Sequence, residues 1–452
     1  MGVAPWLIVL MLQVAGGGVA ADRVASGPSR GSLTPAPADR LHTSAARQWR
    51  ERIDLKGHIS LLADALPRRD ATELRPQAGI EATARLSDAI RARFEGFAEA
   101  LIADRDGRVT DAGVRVRDAW IEAAGKRADL RVGYGRVVWG RLDEIQPSDV
   151  INPLDTARFL FDGRASARLP VTFISSHLFL SETFNIQAVV VPRFRRGSFD
   201  QLDEPTSPFN LLRDVVLPAG LTLSSGVIHR DEPRGLEALS GGARMSATAG
   251  RLDFSVAAYR GRDGFGPVSF EPDSLLAAPT PGLFVVGRLV ERFPRFTMIA
   301  GDFETVRGDW ALRGEAAFFV EKKLQTSQGT LVDGRVLDAG LGFDRRTGDY
   351  RVFGSVLVRR EWSDDVPAVA KTNVSLVGSI EREFARERYL ARVFAVVNPG
   401  DASAFVRGLL VSRLRDNTAL ELSAAAFAGT GDDTISRFRT RDFVLARVRV
   451  YW

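Results

Sequence analysis

Phe443-Val444-Leu445-Ala446-Arg447-Val448-Arg449-Val450-Tyr451-Trp452 alternates strictly. Val444, Ala446, Val448, Val450 and Trp452 share one parity, and Leu445, Arg447, Arg449 and Tyr451 the other. Successive side chains of a strand point to opposite faces, so this stretch predicts a strand with one wholly apolar face and one face carrying two arginines. A soluble sandwich would turn the apolar face to a core. A membrane barrel would turn it to lipid, leave the arginines in a wet lumen and place the final aromatic at the interface.

Tyr350–Trp362 decides between them. Val352, Gly354, Val356 and Val358 form its apolar face, with Tyr350 and Trp362 on the same parity at the two ends and Arg360 interrupting near one of them. Arg351, Phe353, Ser355, Leu357, Arg359 and Glu361 face the other way. About twelve steps of ~3.3 Å, tilted ~40°, project to roughly 30 Å, the separation of two aromatic girdles across an outer membrane. Sandwich strands are usually only ~5–6 residues long. Similar alternating runs recur from Leu55 onward, separated by tight turns and longer polar loops in alternation. The fold expected is therefore all-β: a transmembrane antiparallel β-barrel of about 18 strands (16–18), with short periplasmic turns and long extracellular loops. Trp310, Tyr350, Trp362, Phe384, Tyr389 and Trp452 are the expected membrane girdle. Val114 and Val116 share parity with Asp118 and Glu122, which calls for a bulge near Arg117. Phe443–Trp452, which resembles the closing strand of Gram-negative outer-membrane barrels, should pair with the first strand near Leu55–Leu66. In those barrels the terminal aromatic serves as an assembly signal.

Composition narrows the function. The absence of Cys excludes disulfides, thiolate zinc sites and thiol catalysis. The net charge of +5 is spread along the strands as arginine beside Asp and Glu, not gathered in patches, which argues against nucleic acid. Trp6–Leu12 is a short apolar core and Gly18–Ala21 a small-residue cleavage site, so residues 1–21 read as a signal peptide, although no basic residue precedes the core. Residues 22–54 read as a flexible periplasmic lead-in and 55–452 as the barrel, with 141–167 and 195–241 as long loops. The address expected is the outer membrane of a Gram-negative bacterium. The partners expected are outer-membrane lipid and lipopolysaccharide, a small-molecule solute and the barrel-assembly machinery.

No catalytic, cofactor or metal pattern is present. His42, His58, His177 and His229 do not pair at ligand spacing, and no HExxH or GxSxG occurs. His177 with Ser175 and Ser176 nearby would be the seed of a lipid hydrolase, and a plain lumen histidine is the simpler reading. The polar parity carries a charge ladder: Arg91, Arg93, Glu95, Glu99, Arg313, Glu315, Arg351, Arg359, Arg392, Arg447 and Arg449, with Glu381, Glu383 and Glu421. Its charges can brace neighbouring strands or, through surplus arginine, filter anions.

Val137-Val138-Trp139-Gly140, followed by Asp149-Val150-Ile151-Asn152-Pro153-Leu154-Asp155, resembles the signature of a family of functionally undefined Gram-negative outer-membrane proteins, porin-like and alginate-export-like in outline. Val191–Gly197 and the Pro-rich run after it fit as well, and the resemblance is sharpest over about Arg131–Asn210. It implies an outer-membrane channel or uptake protein without enzymatic activity. A segment this rich in Pro, Asp and Asn is a structured loop. Folded into the lumen, it would make a constriction from Trp139, Arg141, Asp143, Glu144, Asp149, Asn152 and Asp155. Folded outward, it would be an extracellular cap. The Pro-rich run Phe199–Asn210 is a second candidate plug. The function expected is a porin-like channel for small solutes, anionic or amphipathic ones among them. A structural or adhesive barrel with a blocked lumen is the alternative, ahead of a lipid hydrolase.

Overall fold

The last strand pairs antiparallel with the first, Val444 opposite Ala65 and Tyr451 opposite His58, and this pairing closes the sheet. The structure is a computed structural model that describes residues 52–105, 107–214, 221–224, 228–277, 283–326 and 330–452. The signal-peptide segment 1–21 and nearly all of the lead-in 22–54 lie outside them.

Among the described residues, eighteen strands form one closed antiparallel barrel. In chain order the first seven are β1 (Ile53–Leu66), β2 (Ala71–Arg85), β3 (Ile90–Asp104), β4 (Arg108–Ala124), β5 (Ala128–Gly135), β6 (Val171–Phe179) and β7 (Phe184–Val191). Two short strands outside the wall follow, β8 (Leu221–Leu223) and β9 (His229–Asp231). The wall resumes with β10 (Ser240–Ala249) and β11 (Leu252–Arg262). The hairpin β12 (Val268–Ala277) and β13 (Leu283–Arg292) joins β8 and β9 in a separate small sheet. The wall is completed by β14 (Arg295–Arg307), β15 (Trp310–Gln325), β16 (Leu331–Thr347), β17 (Tyr350–Trp362), β18 (Lys371–Phe384), β19 (Tyr389–Asn398), β20 (Ser403–Arg415), β21 (Thr418–Ala428) and β22 (Phe443–Tyr451).

The two parities behave as the alternation requires. On β22, Val444, Val448 and Val450 are exposed on the outer face while Leu445 and Arg447 are buried inside. On β17, Val352, Val356 and Val358 face out, and Phe353, Leu357, Arg359 and Glu361 are buried inward. An outer face of bare Val, Leu and Ile around a whole cylinder is stable only against an apolar solvent. β3 pairs β4 with a register shift: Glu95 faces Asp118 and Gly96 faces Val116, so Arg117 is the extra residue of a bulge. Both charged residues that broke the pattern, Asp118 and Glu122, thereby turn inward.

Tight turns and long connections alternate by end. β14–β15 and β16–β17 turn in two residues, where Gly308 and Gly348 take φ of 57°. The long connections 136–170, 192–239, 263–294 and 429–442 all leave from the opposite end, called here the loop end.

Three features of the strands have physical causes that alternation alone does not show. β5 stops at Gly135, short of Gly140, because the Val137 amide bonds to the Asn152 side chain and leaves the wall. β2 begins at Ala71, since Pro67 lies in the preceding turn and Pro76 is carried inside the strand opposite Leu61, a position where Pro is unusual. The β12–β13 hairpin was not expected: Pro267, Pro272 and Pro294 break up its alternation, and Pro272 sits beside a bulge. β8 pairs parallel with β13, away from the wall.

Candidate lumen constriction

Residues 136–170 form a loop stitched by its own polar groups. Asn152 is buried between the two stems: its Oδ1 accepts from the Val137 amide (2.8 Å), and its Nδ2 donates to the Gly135 (3.2 Å) and Leu169 (2.8 Å) carbonyls. Asp149 accepts from Arg164 Nε (2.9 Å) and Arg168 Nε (2.8 Å). Asp155 caps α1 (Thr156–Asp162) by accepting from the Arg158 amide at 2.8 Å, and its other oxygen accepts from the Gln201 amide at 3.1 Å. Gly163 ends α1 with φ 81°, and α2 (Arg164–Ala167) returns the chain to β6. Trp139 is buried, with its indole N–H on Gln187 Oε1 at 2.9 Å. Asp149, Asn152 and Asp155, three of the residues expected at a constriction, thus brace the loop itself, and Trp139, a fourth, packs against β7 and against Tyr259 of β11.

The remaining three reach across the lumen. Arg141 Nε donates to Asp302 on β14 (2.6 Å), Asp143 pairs with Arg313 on β15, and Glu144 accepts from Arg392 on β19 (2.6 Å). Glu315 on β15 points into the loop and accepts from the Arg141 amide (2.9 Å), the Leu142 amide (3.2 Å), and both the amide (2.6 Å) and hydroxyl (2.7 Å) of Ser148. Gly140, at φ 97°, has no room for a side chain because the Glu315 carboxylate fills the position.

Helix α1 is held at its far end by the wall. Arg407 on β20, itself buried, donates to the Leu160 (3.1 Å) and Phe161 (2.8 Å) carbonyls, which a seven-residue helix leaves unpaired. Asp162 pairs with Arg447 on β22, and Arg158 pairs with Glu99 on β3. The loop that leaves β5 therefore touches β3, β4, β7, β11, β14, β15, β19, β20 and β22. It lies inside the barrel.

The second expected plug is inside as well. The Thr156 and Ala157 amides donate to the Ser198 (2.8 Å) and Phe199 (3.1 Å) carbonyls, and Asp200 binds Arg75 of β2. Phe199 and Phe209 join Leu142, Phe159, Leu160 and Phe161 in an apolar cluster against the inner face of β17–β22. A third connection, which the sequence did not flag, adds Phe265, Val268 and Leu289. α3 (Thr434–Arg437) in the last connection adds Ile435.

Below the plug, toward the turn end, the lumen wall is charged. Glu95 pairs with Arg117 (3.3 Å) and Arg136 (2.9 Å), while Arg93 reaches Glu81 (2.7 Å) and Glu95 (3.3 Å). Arg91 pairs with Glu122 and Arg351 with Asp344, while nearer the loop end Arg359 pairs with Asp338 (2.9 Å) and Glu361 (2.7 Å). Arg447 also reaches Glu421 at 3.3 Å. Among the described residues Arg449 has no carboxylate within ion-pair distance; its guanidinium donates to the Tyr451 hydroxyl at 3.2 Å. In the loop, burial pushes the Asp143 and Glu144 carboxyls up. Burial, with Asp200 adding to it, lifts Asp155 to about 6. Burial also works against the Asp162 carboxylate, but Arg447, Arg158 and Arg449 outweigh it and hold the group at about 2.

The aromatics expected at a girdle stand on the outer face. Trp310 packs on Phe343 (5.5 Å) and Phe384 stacks on Tyr389 (5.3 Å) at the turn end, where Tyr350 and Trp452 also lie exposed. Trp362 stacks on Phe318 (6.0 Å) at the loop end. Arginines lie over several of these rings, among them Arg345 on Trp310 at 4.9 Å and Arg382 on Tyr350 at 5.0 Å.

No family model matches the sequence, and no curated protein matches it. Solved structures do resemble it. OccAB1 of Acinetobacter baumannii is similar over 89% of this chain and 96% of its own, at 8% identity and a TM-score of 0.52. OccK5 (OpdH) of Pseudomonas aeruginosa matches over 89% and 97%, at 9% identity and a TM-score of 0.48. OmpT, an outer membrane protein of Vibrio cholerae, matches over 88% and 99%, at 11% identity and a TM-score of 0.43. At such identities the likeness to OccAB1 is one of fold.

Proposed function

We propose that this chain is a channel of the Gram-negative outer membrane whose lumen is narrowed by the 136–170 loop, and that it passes or binds small anionic solutes without chemical conversion. The reading is supported by a bare apolar outer face with aromatic pairs at its edges, and by the fold likeness reported above. The observation that carries it is the loop itself. It is fixed to wall strands all round the barrel by charged and backbone contacts, so it holds one position in the lumen. Charge gives the selectivity. Arg93, Arg117 and Arg136 are matched by Glu81, Glu95 and Asp118, and the surplus positive charge comes from Arg449, which has no acidic partner among the described residues. The resemblance of the Trp139–Asp155 signature to undefined porin-like families agrees with this reading.

The test is reversal potential in planar bilayers under a salt gradient. Anion preference is expected for the wild type, and Arg449→Glu with Arg117→Glu should move the reversal potential toward cation preference. Equal selectivity in the two proteins would contradict the proposal. The apolar cluster that fills the loop half of the lumen favours the second reading, a barrel with a blocked lumen. Absence of any conductance from correctly folded protein would select it.

A further inference from the structure

A cleft of about 620 Å³ lies at the loop end, between the 229–237 segment and the ends of β11, β13, β15 and β16. Its cations are Arg234, Arg262, Arg292 and Lys323, with Arg230 at the back, against Asp231, Glu232 and Glu237. Parity places it on the outer side of the wall. Tyr259 and Lys322 are buried inward, so Arg262 and Lys323 face out. Arg262 and Arg295, also outward, staple the 235–239 turn onto the wall by donating to the Glu237 carbonyl at 2.9 Å and 2.8 Å. That turn presents Leu236, 87% exposed, and Leu239 beside the cleft. Among the described residues Arg234 has no ion-pair partner, and Lys323 is paired with the exposed Asp333 at 2.7 Å.

A soluble anion would need only the cations. Two bare leucines next to them, at the rim where the apolar outer face ends, match a ligand that is both anionic and apolar. We propose that this cleft holds the phosphate of a membrane lipid of the leaflet at the loop end, a phosphorylated glycolipid, with Leu236 and Leu239 against its acyl chains. Cations at a membrane surface attract anionic headgroups, and lipid phosphate combines that attraction with apolar burial.

The proposal rests on the outer-membrane reading, and separating the two membranes of the expressing cell tests that reading independently. The site is tested on the full chain in detergent, titrated with bis-phosphorylated lipid A and read by native mass spectrometry. Lipid A should bind, its dephosphorylated form should bind more weakly, and millimolar inorganic phosphate should fail to displace it. Arg234→Glu with Lys323→Glu should weaken binding about ten-fold or more. Arg234→Gln with Lys323→Gln serves if the reversal does not fold, and Leu236→Ser should weaken lipid A without affecting phosphate. Unchanged affinity in the charge variants would overturn the proposal. Displacement by inorganic phosphate would also overturn it, marking a site for free anions.

Discussion

Glu315 and Asn152 are two side chains on which the lumen loop depends. Glu315 is a wall carboxylate that satisfies three backbone amides and one hydroxyl of the loop. Removing it leaves those donors buried and unpaired, each at about 1–3 kcal/mol and not additively. Glu315→Ala should therefore lower the denaturant midpoint by the equivalent of about 3 kcal/mol, and an unchanged midpoint would show that water replaces the carboxylate. Asn152 uses both ends of its amide, so Asn152→Asp should cost nearly as much as Asn152→Ala, about 2–4 kcal/mol, because a carboxylate cannot donate to the Gly135 and Leu169 carbonyls. A thermal melt in which Asp is tolerated and Ala is not would contradict this. At this scale the sequence was informative about importance and silent about role. The Asp-Val-Ile-Asn-Pro-Leu-Asp run stood out, but Asn152 and Asp155 work inside the loop. Glu315, one of many alternating glutamates, gave no sign of which amides it would meet.

Among elements, α1 is the instructive case. Seven residues are too few to hold a helix in isolation, and it stands because Asp155 caps one end while Arg407 and Arg447 secure the other. The Asp162–Arg447 contact sets its pH dependence. Asp162 is held at about 2, below the usual carboxylate range, so its stabilisation is fully present above about pH 4 and is lost as pH falls through about 2. The loss amounts to roughly 2 kcal/mol, from a shift of nearly two units at 1.36 kcal/mol each. Asp155, raised to about 6, works the other way: its share is present below about pH 4 and is lost as pH rises through about 6. Conductance measured from pH 5 down to pH 2 should rise at the acid end in the wild type. Asp162→Asn should show the high-conductance state already at pH 5, and identical titrations of the two would contradict the assignment. This helix was not legible from sequence, since its neighbours in space come from β3, β20 and β22.

For the whole molecule, alternation sufficed to give a barrel of about 18 strands (16–18) and its closing pair, because every wall strand must put apolar residues outward whatever its neighbours. It did not reveal β12 and β13, which lie outside the wall and carry proline. It also left open whether the long loops went in or out, since that depends on wall residues hundreds of positions away. Closure itself can be checked in a protein without cysteine. Ala63 and Ala446 are opposed in the β1–β22 pairing, so A63C/A446C should oxidise to one intramolecular species. Only uncrosslinked or intermolecular products would argue for an open sheet.

Single-channel recording of the wild type beside Glu315→Ala measures directly whether the anchored loop governs passage. Small, anion-preferring steps in the wild type and clearly larger steps in the variant are predicted. Steps of equal size in the two, or silence in both, would contradict it.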